Sequence, residues 1–209
     1  SEEADRLVLS LKLLDMLARE PDLKGWSGLG LAVQAYQKGA PELIERLIAL
    51  DGETGMRLMI RLVKGAYWDS EIKHAQIENS PDYPVWTRKS TTDICYLACA
   101  RKLLAHPEYF SPQFATHNAH SIAAIQEMAS DGDHIEFQRL FGMGQQLHDQ
   151  ILQQDQVNSR IYAPVGTQKD LLSYLIRRLL ENGANSSFVN KLADRDFSVD
   201  ALTDDPVSL

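Results

Sequence analysis

Two adjacent arginines, Arg177 and Arg178, lie inside an apolar stretch that ends near Gly183. The leucines and isoleucine around them recur at helical spacing, which predicts a mostly buried helix. In such a helix Tyr174 and Glu181 lie one turn away from the arginines, on the same face. An arginine fork stays charged when it is desolvated and binds a carboxylate or a phosphate with two hydrogen bonds. The segment therefore predicts an anion site, and the alternative is a surface salt bridge from Arg177 to Glu181.

Polar residues stand at or near the end of each apolar run that predicts a strand. In a parallel α/β fold the carboxyl ends of the strands meet at one rim. Several polar groups gathered at one rim favour a ligand site over a set of separately satisfied hydrogen-bonding groups. The residues are Gln34, Arg61, Thr116, His117, Asn118, Gln138, Arg139 and Tyr162.

The loop after the second predicted strand suits a nucleotide-like cofactor. A Gly-Ala step within it lets a ligand approach the backbone, and a lysine and two aromatic residues flank that step. Two further cations open the next predicted helix, where backbone N–H groups favour phosphate. Neither GxGxxG nor GxxxxGK[ST] occurs in the chain, so we expect rim loops to hold any nucleotide. The residues are Val63, Lys64, Gly65, Ala66, Tyr67 and Trp68 in the loop, and Thr87, Arg88 and Lys89 at the helix start.

His117 and His120, in the motif HNAH, raise the alternative of a metal site and hence of a barrel metal hydrolase. The other conspicuous polar residues are Arg, Lys and Gln, which suit a divalent ion poorly. A contact with a cofactor or a substrate therefore suits His117 better, and we expect no metal. Leu140, just before a Gly-rich turn, is expected to form a wall of the site.

The composition is that of an ordinary globular protein, with 44% hydrophobic and 24% charged residues among 209. A formal charge of −8 argues against nucleic-acid binding, which needs a cationic surface. No apolar run reaches the length of a membrane span, and no signal peptide is evident. Cys95 and Cys99 are interpreted as buried packing residues in a reducing cytoplasm.

Helix and strand patterns alternate along the chain and predict an α/β fold with a parallel sheet. The predicted strands are residues 31–36, 58–63, 113–117, 135–140 and 160–165. The predicted helices are residues 4–18, 41–50, 92–105, 121–130 and 145–154, followed by the arginine-bearing helix, with a long loop from residue 64 to about residue 89. A barrel of this kind has eight strands, so we expect an amino-terminal portion to be absent.

Together these segments resemble the proline dehydrogenase domain of the bacterial bifunctional proline utilisation A flavoenzymes. The resemblance runs from about residue 2 to residue 194, through RLMIRLVKGAYWDSEIK, YPVWTRK, QFATHNAH, FQRLFGMG, RIYAPVGT and YLIRRLLENGANSSFVN. It implies a (β/α)8 TIM-like barrel that holds FAD, here the last five strand-helix units with a final clamp helix over the mouth. Residues 1–194 would then be the carboxy-terminal part of the barrel, and residues 195–209 a linker toward a missing downstream aldehyde dehydrogenase domain.

The resemblance also implies roles for individual residues. Arg177 and Arg178 would bind the carboxylate of L-proline, and Arg61 and Tyr162 would act in catalysis. The expected walls around the substrate are Tyr67, Leu140, Tyr162 and Tyr174. The expected FAD contacts are Gln34, Arg61, Val63, Lys64, Gly65, Ala66, Trp68, Thr87, Arg88, Lys89, Thr116, His117, Asn118, Gln138, Arg178, Glu181, Ser187 and Phe188.

By the same resemblance, the reaction is oxidation of L-proline to Δ1-pyrroline-5-carboxylate, with hydride transfer to flavin N5 and electrons passed to a membrane quinone. The protein is expected in the cytoplasm, peripheral at the inner membrane surface in the full-length enzyme. The family's catalytic lysine and aspartate come from strands that precede Ser1, and no general base is evident in this chain. The alternative is an inactive fragment or scaffold that needs the missing amino-terminal strands.

Overall fold

Five parallel strands form one sheet in the computed structural model, which describes residues 4–130, 134–153 and 157–185, with side chains described up to residue 178. Neighbouring strands in the chain are neighbours in the sheet, so every carboxyl end lies at the same rim. The strands are β1 (Gly30–Gln34), β2 (Leu58–Val63), β3 (Phe110–Ala115), β4 (Ile135–Leu140) and β5 (Val157–Tyr162).

Helices connect these strands and follow the last of them. Pro41 lies in the first turn of the second helix, and Gly55, with a φ of 66°, ends it in a left-handed conformation. The helices are α1 (Leu7–Ala18, after a 3-10 turn at Ala4–Arg6), α2 (Ala40–Thr54), α3 (Trp68–Ile77), α4 (Lys89–Leu104), α5 (Ala119–Met128), α6 (Gln145–Ile151) and α7 (Gln168–Asn185).

The two faces of the sheet differ in character because side chains alternate along each strand. The outer face packs against α2, α4 and α6 and is apolar, with Val33, Leu62, Phe114 and Phe137 fully buried. The opposite face, here called the inner face, carries mostly polar side chains. Its members include Gln34, Arg61, Gln113, Glu136, Gln138, Arg160 and Tyr162.

The predicted parallel sheet of five strands is confirmed, and β2 and β4 begin and end at the predicted residues. Several local predictions are wrong. β1 ends two residues before the end of the predicted strand 31–36, and β3 begins three residues and ends two residues before the predicted strand 113–117. The predicted loop 64–89 contains the helix α3, and β5 begins and ends three residues before the predicted strand 160–165. Cys95 and Cys99 are free and buried on α4, as predicted.

The arginine-bearing helix α7 does not bury its apolar side chains as predicted. Leu172 is 58% exposed and Ile176 is 46% exposed, whereas Arg178 is only 9% exposed. Arg177 and Arg178 lie over the rings of Tyr67 and Tyr174, whereas the exposed apolar residues lie on the other side of the helix. No helix in the described part of the chain is long and apolar enough to cross a membrane.

Candidate active site

Each arginine of α7 lies over a tyrosine ring. The Cζ of Arg177 is 5.0 Å from the ring centroid of Tyr67, in the loop between β2 and α3. The Cζ of Arg178 is 4.8 Å from the ring centroid of Tyr174, one helical turn earlier on α7. A guanidinium that stacks by its face keeps its N–H donors in the plane, at its edge. The arrangement therefore presents two cations whose edges can bind an anion.

The Nε of Arg177 is buried and has no hydrogen-bond partner among the described residues. A buried donor without a partner costs about 1–3 kcal/mol, and more when the group is charged. Such a donor remains available to an acceptor outside the described residues, and a bound anion can supply one. A carboxylate matches both the charge and the planar shape of the arginine fork.

Arg61 links three strands on the inner face. Its Nε donates a hydrogen bond to Gln138 Oε1 at 2.8 Å, and its Cζ is 4.8 Å from the ring centroid of Tyr162. The strand between β2 and β4 has the small residue Ala115 at the level of Gln138, which leaves room for the long arginine side chain. Three predicted site residues thus come together, and they place a positive charge on a polar, partly buried surface.

Leu140 and Tyr162 are direct neighbours in the register of β4 and β5. Leu140 is 2% exposed, so it contributes an apolar surface beside an aromatic one. Its backbone N–H donates to His117 Nε2 at 3.0 Å. This bond requires a lone pair on Nε2 and places the imidazole proton of His117 on Nδ1.

The same bond bears on the metal alternative, since Nε2 of His117 is engaged by the backbone. Within residues 4–130, 134–153 and 157–185, no group of three or more His, Cys, Asp and Glu side chains is arranged to hold a metal ion. Nothing in the described part of the chain therefore supports the metal hydrolase hypothesis built on His117 and His120.

His148, which the sequence did not indicate, forms hydrogen bonds that hold the residue after β3 in place. His148, on α6, is 0% exposed and hydrogen-bonds through Nε2 to the carbonyl of Thr116 at 3.2 Å. Its Nδ1 is 2.8 Å from Ser159 Oγ. Burial lowers the pKa of His148 below its ordinary value, so the ring is neutral, donating to Thr116 and accepting from Ser159. Only the fold could reveal this role, because the three partners are distant in sequence.

Asn118 has a structural role at the same rim. Its Oδ1 accepts a hydrogen bond from the backbone N–H of Ser121 at 2.9 Å and begins α5. Its own N–H donates to Thr116 Oγ1 at 3.1 Å.

Lys64, at the end of β2, is buried and paired with Asp93 of α4, another residue that the sequence did not indicate. Lys89 also donates to Asp93, at 2.5 Å. Burial raises the pKa of the Asp93 carboxyl, but the two lysines outweigh it and hold that pKa below its usual value. Two predicted phosphate ligands are thereby joined through one carboxylate.

Gly65 is required by the fold in a way that the sequence did not suggest. Its φ is +130°, and a Cβ built on it would lie 2.3 Å from Cδ1 of Tyr36. The ring of Tyr36 fills the space on the side where a Cβ would stand, so a ligand would have to approach the backbone of Gly65 from the other side.

The segment before α4 is attached to the end of β1 by backbone hydrogen bonds. Trp86 N donates to Tyr36 O at 2.8 Å, and Lys38 N donates to Pro84 O at 3.0 Å. Trp68 Nε1 in turn donates to Trp86 O at 2.7 Å. The exposed residues Thr87, Arg88 and Lys89 follow directly, at the start of α4.

Some of the predicted site residues have no described side-chain contact with the other predicted site residues. Gln34 and Val63 are neighbours in the register of β1 and β2. For Ala66, Thr87 and Arg88 no side-chain contact to the other predicted residues is described. Ser187 and Phe188 lie outside the described residues, and the side chain of Glu181 does as well.

Comparison with known proteins decides the family. The family model "Proline dehydrogenase" matches residues 1–191. The chain belongs to the proline dehydrogenase family. It is 56% identical over 216 residues to the bifunctional protein PutA of Klebsiella aerogenes, and 55% identical over 216 residues to that of Escherichia coli K12, each alignment covering 100% of the chain and 16% of the relative.

A solved structure of proline utilization A (PutA) from Bradyrhizobium japonicum matches with a TM-score of 0.92 at 53% identity. The match covers 100% of this chain and 22% of that one. The chain thus corresponds to part of the PutA proline dehydrogenase domain, and the predicted TIM-like barrel fold is confirmed for its five parallel strands. It spans about one sixth of the length of the curated PutA relatives.

Proposed function

We propose that this chain carries the substrate clamp of an FAD-dependent proline dehydrogenase, which oxidises L-proline to Δ1-pyrroline-5-carboxylate. The observation that carries the proposal is the buried Nε of Arg177, which has no hydrogen-bond partner in the described part of the chain, beside Arg178, which lies over the ring of Tyr174. A small amino acid that is embedded in a mostly apolar cavity needs its carboxylate neutralised. Two adjacent guanidinium groups supply that neutralisation.

The rest of the substrate is held by the walls of the site. Leu140 and Tyr162 provide adjacent apolar and aromatic surfaces, which suit the CH2 groups of a pyrrolidine ring. Tyr67 and Tyr174 hold the two arginines and so determine where the carboxylate binds. With the carboxylate fixed at one end and the ring enclosed at the other, C5 is held in one position and proximity lowers the barrier.

The residues of the inner face fit a flavin. A buried amide at Gln34, the amide of Gln138 and the cation of Arg61 suit the polar edge of an isoalloxazine, and Lys64, Arg88 and Lys89 suit a pyrophosphate. FAD, when bound, would accept the hydride from C5 of proline. Arg61 would stabilise the negative charge that this transfer places near N1 and C2=O.

The similarity to the PutA relatives, of which this chain covers 16% of the length, supports a proposal about the rest of the protein. We propose that residues 1–194 belong to the barrel and that residues 195–209 lead toward an aldehyde dehydrogenase domain. We also propose a cytoplasmic enzyme that passes its electrons to a quinone at the inner membrane surface.

A visible absorbance spectrum with anaerobic addition of L-proline tests the proposal. Flavin bands that bleach with L-proline, in the wild type and not in R177M, are the expected result. If the wild type contains flavin but L-proline does not bleach it, the proposal that proline is the substrate is refuted. The absence of flavin would favour the inactive fragment or scaffold, and supplying the amino-terminal strands as a second chain should then restore the spectrum.

A further inference from the structure

Glu136, on the inner face of β4, was not indicated by the sequence, yet it contacts the partner of Arg61. Its Oε1 accepts a hydrogen bond from Gln138 Nε2 at 2.7 Å. Its Oε2 accepts from Nε and Nη2 of Arg160 at 3.0 and 2.7 Å. A continuous chain of hydrogen bonds therefore runs from Arg160 at one end to Arg61 at the other.

Glu136 determines which way the amide of Gln138 points. A carboxylate only accepts hydrogen bonds, whereas an amide has a donor end and an acceptor end. Gln138 must therefore turn its NH2 toward Glu136 and its oxygen toward Arg61, which donates to that oxygen at 2.8 Å. Gln138 is 5% exposed, so a reversed amide would leave a buried donor against the guanidinium.

We infer that Glu136 is a positioning residue that orients the Arg61 guanidinium through Gln138 and thereby favours reduction of the flavin. The inference rests on the proposed function. Gln138 accepts a hydrogen bond from Nε of Arg61, and the Cζ of Arg61 lies over the ring of Tyr162, so two contacts together favour one position of the guanidinium. A cation held in one orientation stabilises developing negative charge better than one that reorients.

The test is the flavin midpoint potential of the flavin-loaded protein carrying E136Q. Both oxygens of Glu136 accept hydrogen bonds, one from Gln138 and the other from Arg160, whereas a glutamine has only one oxygen. When that oxygen turns to Arg160, its NH2 opposes Nε2 of Gln138, and the Gln138 amide is no longer held toward Arg61. We expect a more negative potential than in the wild type. The matched control is E45Q, because Glu45 is also an ion-paired glutamate, with Lys102, but lies on α2. E45Q should keep the wild-type potential.

A double-mutant cycle separates an effect through Arg61 from a general disturbance. In the R61M background, E136Q should cause little further shift. If E136Q weakens FAD binding, the FAD dissociation constant of each variant is measured in place of the midpoint potential, with the same double-mutant cycle. An unchanged potential and affinity in E136Q, or an equal shift with and without Arg61, overturns the inference alone. A wild-type protein that binds no flavin even after the amino-terminal strands are supplied overturns the proposed function as well.

Discussion

The guanidinium of Arg177 lies over the ring of Tyr67, with 5.0 Å between Cζ and the ring centroid. The contact joins α7, which carries the anion-binding arginines, to the loop after β2, which is proposed to hold the cofactor. Substrate affinity should therefore depend on a residue that need not touch the carboxylate itself.

Replacing Tyr67 with leucine should raise KM for proline, because the cation–π contact is worth about 0.5–2 kcal/mol. The matched change Y67F keeps the ring face and should have a much smaller effect. Steady-state kinetics on both variants measure the difference. Equal KM values in Y67L and Y67F would contradict a role for the stack.

Replacing Arg177 with methionine should weaken proline binding strongly, since losing one partner of a desolvated charge pair costs roughly 2–5 kcal/mol. The loss should be specific for the carboxylate. Inhibition by proline analogues with the carboxylate and by pyrrolidine, which lacks it, provides the measurement. If R177M weakens both ligands equally, Arg177 does not bind the carboxylate.

Replacing Gly65 with alanine should destabilise the protein by about 1–3 kcal/mol, because the new Cβ meets the ring of Tyr36 and the positive φ strains it. The control is G52A, in α2, where a Cβ meets nothing within 4 Å. That change should stabilise by about 0.5–1 kcal/mol. Urea unfolding compares the two variants, and a stable G65A would show that Tyr36 moves aside.

His148 should make stability depend on pH. Burial lowers its folded pKa below the ordinary 6.5, so the unfolded chain binds the proton more readily. The free energy of unfolding should therefore fall as the pH drops below 6.5 and level off once the folded pKa is passed. H148Q should be less stable than the wild type at neutral pH, but its free energy of unfolding should change less with pH below 6.5.

Chemical denaturation at a series of pH values measures this slope. H74Q, the same substitution at an exposed position on α3, is the matched control. A wild-type slope in H148Q would assign the titration to other groups.

The sequence correctly predicted those strands and helices whose apolar side chains recur with the period of a strand or of a helix. β2 was placed correctly because its outer face is apolar throughout, with Leu58, Ile60 and Leu62 fully buried. Helix α3 was missed because only Glu71 and Ala75 are buried along it, so no apolar stripe marks it. The strand predicted at residues 160–165 begins three residues after β5 does. The first half of β5 contains Asn158 and Ser159, and these polar residues are not typical of a strand.

The arginine pair was recognisable in sequence because charged residues in an apolar helix need a partner. Its actual neighbours were only partly predictable. The Tyr174 contact follows from helical spacing, whereas the Tyr67 contact depends on how α7 meets the sheet. The supporting roles of Glu136 and His148 arise from residues on different strands and helices, which spacing along one chain cannot reveal.

The hydrogen bonds that attach residues 84–86 to the end of β1 constrain where this chain tolerates changes in length. An inserted residue between Pro84 and Trp86 would break the pairing with Tyr36 and displace Lys89 from Asp93. Residues 79–81 are exposed and lie just outside this attachment, so insertions can be absorbed there. Natural and engineered length variation in this connection should therefore concentrate before Pro84.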